Sequence, residues 1–165
     1  MILYASKYGS VREYVGSIQE AVRRLESAAS PLIFDLSKEA GSAAATLSAG
    51  YDDKIVLVTP VYAGRAPKAM RRFVESQHEA LRTRPVALVL ACLYEDEEAR
   101  QQMMNVFPSW LVGHASRQFF IGGRIHMAAL SGPTRFMIKR VLRHNNDVDT
   151  LAWDAAAQIA EWFLE

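Results

Sequence analysis

Met1-Ile2-Leu3-Tyr4-Ala5-Ser6-Lys7-Tyr8-Gly9-Ser10-Val11 opens the chain, and the reading of this stretch decides the fold. Ile2 to Ala5 is a short apolar run of strand type. From Val11 to Leu25 the apolar residues Val15, Ile18, Val22 and Leu25 recur at helical spacing. Between the two lies a turn of hydroxyl residues, one lysine and Gly9. A strand passing through a tight turn into a helix is the opening unit of a parallel α/β sheet.

The same alternation continues along the chain. Pro31 to Leu36 reads as a second strand. Ile55 to Thr59 reads as a third, nearly all β-branched or leucine and hence buried on both faces. Ala66 to Leu81 follows as a helix with Met70, Phe73 and Val74 inward. Val86 to Leu93 is a wholly apolar fourth strand, and Glu95 to Phe107 a helix whose acidic first turn suits its dipole. Gln118 to Ile121 is a shorter fifth strand. Two helical stretches close the chain, near Thr134 to Arg143 and from Thr150 to Leu164. No repeat or composition break marks a second domain. The expectation is one domain over residues 1–165: a doubly wound, five-stranded parallel sheet of order 2-1-3-4-5 with helices on both faces. A ligand of such a sheet lies beyond the carboxyl ends of the strands, where strands one and three part. Its site would follow Ala5, Thr59 and Ala91.

Composition bounds the function. The chain has 165 residues, enough for one sizeable core. A net charge of +1 argues against a strongly basic arm, and no nucleic-acid partner is expected. The single cysteine allows neither an internal disulfide nor a zinc cluster and points to an intracellular setting. No apolar run approaches the roughly 18 residues of a membrane span. The opening residues are a poor signal peptide, since no charged segment precedes them. A cytoplasmic location is expected. His78, His114, His126 and His144 show no metal-ligand spacing and read as surface or loop residues.

Ser6 to Val11 has the composition of an anion cradle. A phosphate wants amide donors and hydroxyls at a helix N-terminus. Gly9 lets the backbone turn tightly and come close, Ser6 and Ser10 offer hydroxyls, and Lys7 offers charge. The other reading is a plain strand-to-helix turn capped by Ser10. The segment resembles the FMN phosphate loop of flavodoxins, with Ser6, Gly9 and Ser10 matching. Val11 stands where that family usually has threonine, so Ser10 or Lys7 would supply that contact. The resemblance implies a flavodoxin-like fold with FMN as cofactor. It places Ser6, Lys7, Tyr8, Gly9, Ser10 and Val11 at the phosphate. It also places Thr59, Pro60, Val61, Tyr62, Ala63 and Gly64 along the isoalloxazine ring. Such a ring needs an apolar or aromatic contact, from Tyr62 or Val61, and backbone groups at its polar edge. The third loop would bring Cys92, Leu93 and Tyr94. Cys92 itself reads as a small buried apolar residue, lacking a partner thiol or an adjacent base. Glu95 to Glu98 read as a solvated helix start.

The C-terminal quarter carries a second signal. Arg135, Lys139 and Arg143 share one helical face, and Met137, Ile138, Val141 and Leu142 another. This is either a docked helix with a solvated basic face or a basic amphipathic element that meets anionic lipid, propionates or an acidic partner. Arg-Phe-Met-Ile-Lys at 135–139, Asp149-Thr150, Trp153 and the ending Ile159-Ala160-Glu161-Trp162-Phe163 resemble the menaquinone-dependent protoporphyrinogen dehydrogenases and related flavodoxin-domain proteins. That resemblance implies an FMN-dependent oxidoreductase passing electrons from a small-molecule or protein donor to a quinone. The basic amphipathic reading of the helix adds peripheral contact with the inner face of an anionic membrane through Arg135, Lys139 and Arg143. No catalytic side chain is assigned. Two alternatives stand beside it. One is a flavodoxin-type electron carrier with protein partners, although such carriers are commonly acidic. The other is a flavin-free binding module on the same fold. The oligomeric state is left open.

Overall fold

The computed structural model describes residues 1–50, 54–125, 127–129, 132, 135–136, 139 and 146–165. Five strands form one parallel sheet: β1 (Ile2–Tyr4), β2 (Ile33–Asp35), β3 (Ile55–Pro60), β4 (Val86–Ala91) and β5 (Arg117–Phe120), in the order β2-β1-β3-β4-β5. The register is direct: Leu3 lies between Phe34 and Leu57, and Val89 between Val58 and Phe119. This is the doubly wound order expected from the sequence.

Strand residues alternate faces with a period of two, and the core divides accordingly. Leu3, Ile55, Leu57, Leu88 and Leu90 enter one layer. They meet α2 (Leu36–Ser48), α3 (Lys68–Ser76), α4 (His78–Arg82), α5 (Asp96–Val106) and α6 (Ser109–His114). Ile2, Tyr4, Val56, Val58, Ala87 and Val89 enter the other, against α1 (Ser10–Leu25) and α7 (Ala155–Leu164). β3 and β4 are buried along their whole length, as their almost wholly apolar composition requires.

Several boundaries differ from the sequence reading. The helix expected over 66–81 is two helices, because Gln77 leaves helical geometry (φ −106°, ψ 23°). Polar Ser76 marks the break, turning its hydroxyl onto the Phe73 carbonyl. Helix α2 was not anticipated: its run of alanine, glycine and serine has little apolar period. It starts where Asp35, at the end of β2, accepts the Ser37 amide at 3.0 Å. The last helix begins at Ala155 rather than Thr150, since 148–149 form a strand. That strand, β7 (Val148–Asp149), pairs antiparallel with β6 (Arg124–Ile125), and a 3₁₀ turn covers Met127–Ala129. Of the basic helix expected near 134–143, Arg135, Phe136 and Lys139 are helical, and Arg143 lies outside the described residues. His126 and His144 lie outside them too.

Candidate functional site

The carboxyl ends of β1, β3 and β4 deliver three loops to one edge of the sheet. In the first, Gly9 precedes α1 with φ +89°, a conformation that side-chain-bearing residues rarely adopt. The Glu13 amide bonds back to the Gly9 carbonyl at 3.0 Å, which starts the helix. No side chain caps α1. Ser10 is the first helical residue rather than its cap, and the Ser6 hydroxyl instead accepts the Gly9 amide at 3.1 Å. The first-turn amides of a 16-residue helix therefore point beyond the sheet edge. Lys7 is exposed, and Ser6 and Ser10 are partly so. Val11 is buried with α1's inner face, so its side chain belongs to the core and only its backbone is available to an anion.

The second loop is a tight turn. Tyr62 and Arg65 exchange backbone hydrogen bonds at 2.9 and 3.1 Å around Ala63 and Gly64, both with positive φ (50° and 77°). That pairing is the geometry of a two-residue hairpin turn. The turn carries Tyr62 back over the first loop, where its hydroxyl accepts the Lys7 amide at 3.2 Å and its ring meets Tyr8 edge-on at 5.5 Å. Burial pushes the Tyr62 phenol above its ordinary pKa, and the amides of Lys7 and Tyr8 pull it part of the way back. Thr59 and Pro60 are buried at the strand end, whereas Val61 through Gly64 reach the surface.

In the third loop Cys92 is buried, its thiol directed at the Tyr94 carbonyl at 3.6 Å, and burial raises its pKa. An inert small residue is what that environment makes of it. Leu93 packs against Gly123, and Tyr94 is half-buried. A cavity of about 340 Å³ opens on the outer side of this loop, between Leu93, Asp96, Ala99, Phe120 and Thr150. The ring neighbours expected from the sequence thus come to one edge, but only part of each loop is accessible.

Beyond β5 the chain doubles back on α1. The Gly123 amide donates to the Thr150 hydroxyl at 3.1 Å, and the Thr150 amide donates to the Gly123 carbonyl at 2.9 Å. Gly122, at φ +68°, lies so close to the Thr150 carbonyl that a Cβ there would collide with it. Arg124 joins the two parts: its guanidinium donates to Asp149 at 2.8 Å and to Glu13 at 2.5 Å and lies over the Trp153 ring at 5.4 Å. Burial opposes its charge, yet the bonds to Asp149 and Glu13 prevail and raise its pKa. Trp153 continues onto Tyr14, whose hydroxyl donates to the Ala152 carbonyl at 2.8 Å. Sequence reasoning passed over Arg124, and its position directly after two glycines was the available signal. A second cavity, of about 390 Å³, is lined by Met127, Ala128, Arg135, Lys139, Asn146 and Asp147, with Phe136 exposed nearby in sequence.

The donor set fits a phosphorylated ligand. Uncapped amides, two hydroxyls, an ammonium group and a glycine with open space where its Cβ would stand meet at the first loop. Half-buried Val61, Tyr62 and Tyr94 offer apolar surface on the neighbouring loops. Among the described residues no cluster of histidine, cysteine and carboxylates could hold a metal, and no helix is long and apolar enough to cross a membrane.

A family model described as a flavodoxin domain matches residues 1–150. No curated protein sequence matches the chain. Solved structures share the fold at low identity. Oxidised flavodoxin 1 from Bacillus cereus is 14% identical, with 99% of this chain and 95% of that chain covered and a TM-score of 0.57. An azoreductase from Bacillus anthracis is 11% identical, covering 98% and 99%, with a TM-score of 0.54. The flavodiiron protein from Giardia intestinalis is 7% identical with a TM-score of 0.54; 99% of this chain matches it, spanning 35% of its length.

Proposed function

This chain belongs to the flavodoxin domain family, and from that premise we infer that it is an FMN-dependent redox protein. FMN, when bound, supplies reversible transfer of one or two electrons between a donor and an acceptor. The observation that carries the reading is the uncapped N-terminus of α1 behind Gly9, at the point where β1 and β3 part. The amides of Ser10, Val11 and Arg12, the hydroxyls of Ser6 and Ser10 and the Lys7 ammonium would hold the phosphate. Val61 to Gly64 and Leu93 to Tyr94 would flank the ring, leaving its edge to loop amides.

Within that reading we propose an oxidoreductase of the protoporphyrinogen dehydrogenase type that delivers electrons to a quinone. Asp149 and Thr150, which carry the resemblance, tie the segment after β5 to itself through Arg124 and Gly123, and Trp153 packs it on Tyr14 of α1. Exposed Lys139 and Phe136, with Arg135 and Arg143 close in sequence, suit an anionic membrane. A soluble electron carrier would show no such preference. The purified protein, incubated with FMN and freed of excess, should show a flavin spectrum near 1:1 stoichiometry. A colourless protein would refute the redox reading. The triple change Arg135→Gln, Lys139→Gln and Arg143→Gln should keep the flavin and weaken binding to phosphatidylglycerol vesicles, most at low salt. Equal vesicle binding at every salt concentration would remove the membrane reading and leave the redox one.

A further inference from the structure

We propose that Arg124 makes the cofactor site selective for a phosphorylated flavin by neutralising Glu13 beside the phosphate loop; this rests on the FMN reading above. Glu13 stands in the first turn of α1, three residues after Ser10, or about 4.5 Å along the helix axis. Glu13 thus carries its charge within about one helical turn of the amides that would receive the phosphate. A carboxylate favours the helix dipole by itself, but beside a bound dianion it repels.

The chain meets that carboxylate with a cation from 111 positions away. Arg124 has a side chain only 14% exposed, between Glu13 at 2.5 Å and Asp149 at 2.8 Å, with the Trp153 ring across it. A screened, loosely held surface pair would do little for a nearby anion. This one is fixed in position by the Gly123–Thr150 bonds and by the β6–β7 pairing. The other first-turn charge, Arg12, is engaged elsewhere, by Asp35 at 3.2 Å and the Tyr4 hydroxyl at 3.3 Å. Arg124 is therefore a positioning residue: it touches neither loop, and acts by cancelling a charge and holding Glu13 in place.

Riboflavin has the same ring as FMN and no phosphate, so the pair of ligands isolates the effect. Wild-type protein should bind FMN more tightly than riboflavin. Arg124→Gln should lose about tenfold in FMN affinity at low ionic strength, with riboflavin affinity unchanged. Glu13→Gln added to Arg124→Gln should restore FMN affinity, since the uncompensated charge is then gone. A parallel loss for both flavins, not restored by the second change, would make Arg124 purely structural and overturn the proposal. Unchanged FMN affinity in Arg124→Gln would overturn it as well. The parent reading is tested separately by the wild type: binding neither flavin would bring down both.

Discussion

Replacing Gly9 with alanine separates two roles that the proposed phosphate loop would combine. Gly9 has φ +89°, and an added Cβ would meet no atom of the chain within 4 Å. The change therefore causes no clash in the protein itself. Its cost to folding is the left-handed backbone alone, about 1–2 kcal/mol. For a chain of this size that lowers Tm by roughly 2–8 °C. Strain present in both free and bound protein cancels from the binding equilibrium. A loss of FMN affinity beyond it must come from the methyl group standing where the phosphate approaches. Displacing one charge-assisted amide bond is worth about 1.5–3 kcal/mol, or roughly ten- to more than a hundredfold in Kd. Thermal melts of the free protein and fluorescence titration with FMN read the two effects separately, and Gly9→Val should abolish binding. An alanine variant that melts lower yet binds FMN as tightly as the wild type would refute the placement of the phosphate at this loop.

Three further outcomes are expected. FAD should bind more weakly than FMN, because the proposed phosphate site is a single mononucleotide-type loop and the adenine half would find no second fingerprint among the described residues; competitive titration checks this. Gly122→Ala should cost about 2–4 kcal/mol, visible as a lower melting temperature, because its Cβ would strike the Thr150 carbonyl and its φ of +68° is unfavourable. Tyr14 is fully buried, and burial, with the Asp154 charge adding to it, raises its pKa above the ordinary 10.0. The unfolded chain therefore loses that proton first: the contribution of Tyr14 is intact below about pH 10 and falls as pH rises beyond it. Urea unfolding from pH 8 to 11 should show that fall, flattened in Tyr14→Phe, which also loses the bond to Ala152 at a cost of about 1–2 kcal/mol.

The sheet was legible because its signal is local. Ile55 to Thr59 and Val86 to Ala91 could hardly be anything but buried parallel strands, and the order follows once helices alternate with them. The turn from β1 into α1 was legible for the same reason: strand, glycine and helix lie within a dozen residues. Helix α2 was not, since its alanines and serines have small side chains and little amphipathic contrast. Nor were β6 and β7, each of two residues, whose pairing spans the chain from Arg124 to Asp149 and has no local period. The turn that brings Tyr62 over Lys7 and Tyr8 had no sequence signal beyond Gly64, since it rests on positive φ at Ala63 as well. Val11, read as a departure from a hydroxyl contact, is explained by burial: the position belongs to the core face of α1.

The residues behind the finer resemblance have work to do in the scaffold. Asp149 orients Arg124, Thr150 ties Gly123, and Trp153 packs on Tyr14. Each of these contacts would be needed by any flavodoxin domain that folds a segment after β5 back onto α1, whatever it oxidises. Their presence therefore speaks to shared C-terminal architecture more directly than to a shared substrate. What distinguishes one donor or acceptor from another must lie in groups the scaffold does not consume. Two places offer such groups: exposed Asp96 and Arg100 at the cavity beside the third loop, and exposed Lys139 at the cavity it shares with Met127. The first sets Glu95 and Asp96 beside Arg100, whereas the second sets Arg135 and Lys139 with Asp147 beside Met127 and Ala128. Substitutions at Arg100 or Lys139 that alter turnover with one electron partner while leaving FMN affinity intact would therefore assign the partners to these cavities.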